Sequence, residues 1–177
     1  MRARYLCVAI LAAAVIAAAR PAAAEQVIFV VRHAERASTT PAPSNPAGAH
    51  GMMADDPPLS PAGEQRAAKL ASMLGSAGIK FIYTSEYRRT RQTADPLAKL
   101  LHLTPVMAAA KDPDPLVAKV RADQGNVLIV GHSNTVPDLL KKLGVTDTIT
   151  IGDNDYDNLF VVFRDAAGKA TLVRLKY

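Results

Sequence analysis

Cys7 is the only cysteine in the chain, and tryptophan is absent. Aromatic residues make up 5% of the 177, so a core must be built from Ala, Val, Leu and Ile. A single thiol excludes a disulfide framework and any zinc site made of several cysteines. Long apolar runs are scarce too. The N-terminal one, Val8–Ala19 (VAILAAAVIAAA), rises about 18 Å as a helix, against a bilayer hydrocarbon core of about 30 Å.

That stretch has the three parts of a secretory signal. Arg2 and Arg4 precede it, Pro21 breaks it, and Ala22-Ala23-Ala24 offers an A-x-A cleavage site before Glu25. The expected organisation is a signal peptide over 1–24, cleaved after Ala24, and one domain over 25–177. The mature chain would then be secreted or periplasmic, with no stable membrane anchor and, once Cys7 is gone, no thiol. Losing Arg2, Arg4 and Arg20 lowers the formal charge from +5 to +2. No basic block remains that would call for nucleic acid.

The remaining chain alternates two periods. Apolar runs of strand length occur at Gln26–Val31, Lys80–Thr84 and Asn126–Val130, with a shorter strand at Thr104–Met107. Helical spacing covers Pro61–Ser76, Glu86–Leu101 (Leu97, Leu100 and Leu101 on one side), Asp114–Asp123 and Asn134–Leu143, the last closed by Gly144. Leu159–Arg164 and Ala170–Leu175 read as a hairpin. Strands that are apolar throughout and separated by helices predict an α/β fold, a three-layer α/β/α sandwich around a mainly parallel sheet. Ala37–Leu59, rich in proline, is too long for a passive connector and is either a floppy insertion or a flap over a site.

Polar residues interrupt the strand ends. The first strand runs into Arg32-His33, the second into Ser85 through Arg91, and NVLIV into Gly131-His132-Ser133-Asn134. In an open parallel sheet the carboxyl ends of the strands share one edge, where ligands bind and helix N-termini present backbone N–H groups. Two histidines and several arginines converging there make a site for a phosphate dianion.

These segments, VVRHAER, DPPLSPAGEQRA, YTSEYRRTRQTA and VLIVGHSNT, resemble the histidine phosphatase superfamily, also called phosphoglycerate mutase-like, in order and spacing over roughly Val27–Phe163. The resemblance implies His33 as the nucleophile, attacking phosphorus through a neutral ring nitrogen. It implies Arg32 and Arg89 as forked phosphate clamps, Arg89 because Ser85-x-x-x-Arg89-x-x-x-Thr93-Ala94 matches the register. It places His132, which if protonated adds a further donor, and Ser133 in the phosphate site. Such a cage works by positioning and electrostatics, so no metal or other cofactor is called for.

The general acid is left open among Glu35, Asp112 and Asp114. The Asn that the longer mutase-like pattern carries shortly after Glu35 is missing, which argues against phosphoglycerate mutase-like phosphotransfer. The expected activity is hydrolysis of a small-molecule or envelope phosphomonoester. The alternative is a phosphate-binding module without turnover. A serine hydrolase is excluded because no histidine follows Ser133. Asp153-x-Asp155-x-Asp157 starts like a calcium loop but has Asn158 at position six and Arg164 at position twelve, so it reads as an acidic turn. With Tyr156 and Asn158, this turn is expected to border the site. His50 and His102 are too isolated to be ligands.

Overall fold

The computed structural model describes residues 25–38 and 56–177. The expected signal peptide, His50 and most of the Ala37–Leu59 segment lie outside the described residues. Six strands and four helices alternate: β1 (Gln26–Arg32), α1 (Pro61–Leu74), β2 (Ile79–Thr84), α2 (Arg88–Leu101), β3 (Val106–Met107), α3 (Asp114–Ala122), β4 (Asn126–Gly131), α4 (Thr135–Lys142), β5 (Asn158–Arg164) and β6 (Ala170–Lys176). They form one sheet in the order β3-β2-β4-β1-β5-β6. The first four strands in that order are parallel, and the β5–β6 hairpin adds the antiparallel contacts at one side.

Each inner strand is apolar on both faces because each face has its own helix layer. Ile28, Val30, Val127 and Ile129 pack with Leu139 and Leu140 of α4 and with Val117 and Val120 of α3. Val31, Ile82, Leu128 and Val130 pack on the opposite side with Leu70 and Leu74 of α1 and Leu97 of α2. This is the three-layer sandwich expected from the patterning. α1 opens on Ser60, whose hydroxyl accepts from the Gly63 N–H, with Pro61 at its first position.

Along the apolar side of α2, Leu97 is buried while Leu100, in the last turn, is 56% exposed. One local expectation fails. The strand expected over Thr104–Met107 shrinks to two residues at the sheet edge, where Pro105 supplies no N–H to a ladder.

Gly63 is where α1 meets the loop after β1. A Cβ there would overlap the Glu35 carbonyl oxygen, a backbone atom that cannot swing aside. Gly63→Ala is therefore expected to destabilise the fold by about 3 kcal/mol, the upper range of overpacking. Urea denaturation checks this; an unchanged midpoint refutes the close approach.

Candidate active site

The β1–β4 register sets the centre of the site. Arg32 pairs with Gly131, and the His33 N–H donates to the Gly131 carbonyl at 2.9 Å. Two chain segments a hundred residues apart thereby place His33 and His132 side by side, ring centroids 5.3 Å apart at 65°. Both are buried, 5% and 7% exposed. They open onto a cleft of about 800 Å³ at the carboxyl edge of the parallel strands. Arg32, Arg89 and Ser133 line the same cleft.

His33 Nδ1 lies 2.8 Å from the Ala34 carbonyl oxygen. A carbonyl only accepts, so Nδ1 carries the hydrogen and Nε2 keeps its lone pair. Burial holds the His33 pKa down to about 3, with the charges of His132, Arg89 and Arg32 lowering it further against the raising effect of the Ala34 bond. The ring is a neutral nucleophile at pH 7.

Arg32 donates through Nη1 to the carbonyls of Gly152 and Asp153 at 2.8 and 2.9 Å, and its guanidinium lies over the Tyr156 ring at 4.1 Å. Arg89, in the first turn of α2, has the same arrangement. Its Nη1 meets Asp56 Oδ1 at 3.3 Å and its guanidinium lies over Tyr87 at 4.3 Å. Each clamp is thus held by hydrogen bonds to the protein and by one aromatic face, with further N–H groups left for an anion.

His132 Nε2 lies 2.9 Å from Ser85 Oγ, and its Nδ1 faces Arg89 Nη2 at 3.4 Å. Arginine can only donate, so Nδ1 accepts and the Nε2 hydrogen goes to Ser85. Thr90 continues the chain: Ser85 Oγ is 2.9 Å from Thr90 Oγ1, which donates to the Tyr87 carbonyl at 2.7 Å. Burial, then the Arg89 charge, lowers the His132 pKa to about 4. His132 is thus neutral at pH 7 without an anion beside it, and the extra donor that a protonated ring would add depends on the charge of a bound phosphoryl group favouring that form.

Both histidines have pKa values below the unfolded 6.5. The unfolded chain therefore takes up protons that the folded chain refuses as pH falls from 6.5 toward 4, and stability drops over that interval. The melting temperature is expected to fall between pH 7 and pH 5, and saturating inorganic phosphate to reverse the fall. An anion-insensitive melting curve that is flat from pH 7 to 5 contradicts this.

The carboxyl groups expected as general acids lie elsewhere. Glu35 is paired with Arg66 at 2.7 Å. The Arg66 hydrogen bond and charge hold it below the usual range despite burial, the largest effect, which acts the other way. Asp114 pairs with Lys142 at 2.6 Å, and exposed Asp112 accepts from the Asp114 N–H. None of the three lines the cleft; Asp138 and Asp153 do. Tyr156 borders the site as expected, whereas Asn158 is buried and accepts from Arg174. In the acidic turn, Asp155 accepts from the Gly152 N–H and Asp157 pairs with Lys176. His102 is the exposed left-handed cap of α2, φ 54°. Among the described residues no group of three or more His, Cys, Asp or Glu could hold a metal, and no helix is long and apolar enough to cross a membrane.

Sequence reasoning missed Asp56. It accepts the Arg88 N–H with both oxygens, at 3.0 and 2.8 Å, capping a helix whose own N-cap, Tyr87, offers no side-chain acceptor. It lies at the start of the DPPLS segment, 33 residues before Arg89, and no local spacing connects the two.

Residues 28–110 match the model of the histidine phosphatase superfamily (branch 1). Over that span this is a histidine phosphatase superfamily sequence. Solved structures extend the likeness across the fold. The protein histidine phosphatase SixA in complex with tungstate is similar at TM-score 0.63 and 19% identity, covering 85% of this chain and 96% of that one. A mycobacterial glucosyl-3-phosphoglycerate phosphatase gives 0.59 and 15%, covering 87% and 99%. The phosphoserine phosphatase of Entamoeba histolytica in complex with 3-phosphoglyceric acid gives 0.60 and 12%, covering 86% and 97%. No curated protein matches. The fold is phosphoglycerate mutase-like.

Proposed function

We propose that the chain is an exported phosphomonoester hydrolase that works through a phosphohistidine on His33 and needs no metal. The observation that carries this is the free Nε2 of a neutral His33 in a cleft lined by Arg32, Arg89 and His132. Nε2 attacks phosphorus in line, the N–P bond forms and the ester P–O bond breaks. The leaving oxygen takes a proton. Water then attacks the phosphohistidine, releasing phosphate and restoring His33. Arg32 and Arg89 hold the equatorial oxygens throughout, and His132 meets the developing charge.

With Glu35, Asp112 and Asp114 outside the cleft, the proton comes from Asp138, Asp153 or water. Leaving groups of low basicity need least help, so aryl phosphates are suitable first substrates. The three similar structures are phosphatases of three different substrates, so the shared fold does not choose among them. Export would restrict the substrate to phosphoesters outside the cytosol. A mature N-terminus at Glu25 in the exported fraction, read by mass spectrometry, supports that part.

The test is release of phenol from an aryl phosphate in the presence of a chelator, with acid-labile, alkali-stable phosphate trapped on His33. Binding of phosphate without release would instead favour a binding module, and transfer between phosphoglycerates a mutase.

A further inference from the structure

The structure assigns Thr93 as a positioning residue that sets the distance between the nucleophile and its clamp. His33 follows β1, and Arg89 sits on the helix that follows β2. In the sheet β4 separates these two strands, so no ladder hydrogen bond joins them. His132, on the end of β4, meets Arg89 at 3.4 Å, and one hydroxyl ties the loop after β1 directly to α2. Thr93 Oγ1 accepts the Ala34 N–H at 2.9 Å and donates to the Arg89 carbonyl at 2.8 Å. Its side chain is fully buried.

The donation to a carbonyl four residues back is ordinary for threonine in a helix. The acceptance from Ala34, 59 residues away, is not local, and it falls on the residue whose carbonyl fixes the His33 tautomer. Both backbone polar groups of Ala34 are thereby held: its N–H by Thr93, its C=O by His33. A second link between α2 and this loop is indirect. Gln92 Oε1 accepts the Leu59 N–H, and Leu59 bridges Arg36. Losing the Thr93 hydroxyl therefore loosens the register while the fold keeps another tie.

In-line transfer is sensitive to about 1 Å of misplacement, and such shifts cost up to about 100-fold in rate. Thr93→Val, which keeps the shape and removes the hydroxyl, is expected to lower kcat on an aryl phosphate about 10- to 100-fold. Thr93→Ser, which keeps the hydroxyl, should restore it to within about threefold of wild type, and KM should move less than kcat in both. Val120→Ala, which removes two buried methyls on α3 away from the cleft, serves as the comparator for stability loss alone. A loss in Thr93→Val no larger than in Val120→Ala, or an equal loss in Thr93→Ser, overturns the assignment. The kinetic readout rests on the hydrolase reading, so amide exchange at Ala34 is measured as well. Faster exchange in Thr93→Val than in Thr93→Ser or Val120→Ala supports the brace even in a chain without turnover. Unchanged exchange overturns it.

Discussion

His33→Ala loses turnover by at least about a thousandfold, because no other nucleophile stands in its place. The loss is confined to chemistry. Arg32 is held by the Gly152 and Asp153 carbonyls, Arg89 by Asp56 and His132 by Ser85, none through His33. Inorganic phosphate should still bind the variant, read by calorimetry, and the phosphate-labelled histidine should vanish from the trapping experiment. Full turnover in this variant would remove His33 from the mechanism.

Arg89→Ala is expected to lower kcat/KM by about a thousandfold, the low end of what a guanidinium on a transferring phosphoryl group contributes. Part of the effect comes from what remains. Asp56 would lose its partner beside the cleft and present an uncompensated carboxylate to a dianionic substrate. Arg89→Ala combined with Asp56→Asn should therefore recover part of the loss. Arg89→Lys should fall between, since an ammonium keeps the charge but not the fork. Helix content should stay constant by circular dichroism, because Asp56 still caps the Arg88 N–H in the single variants. Equal kinetics in Arg89→Ala with and without Asp56→Asn would contradict the pairing argument.

Arg32-His33 and His132 were legible because each sits where the apolar run of β1 or β4 gives way to polar residues, and parallel strands bring such ends to one edge. Arg89, in the first turn of α2, was singled out from Arg88 and Arg91 only by the family resemblance of Ser85–Ala94. The general acid was not legible. Glu35 follows the nucleophile by two residues, yet its partner Arg66 comes from α1, which packs on the loop through Gly63. Asp112 and Asp114 flank β3 on the correct side, but α3 leaves Asp112 exposed and pairs Asp114 with Lys142. Asp138 and Asp153 line the cleft without any pattern to distinguish them from other surface acids.

Periodicity and strand-end composition alone determine the three-layer fold and the anion cage, because burial on both sheet faces and convergence at one edge follow from which residues are apolar and in what order. The tautomer of His33, the neutral state of His132 and the hold of Asp56 and Thr93 on Arg89 are decided only by tertiary structure. Each depends on one polar atom reaching within about 3 Å of another from a distant segment, a match that packing creates and spacing along the chain does not encode.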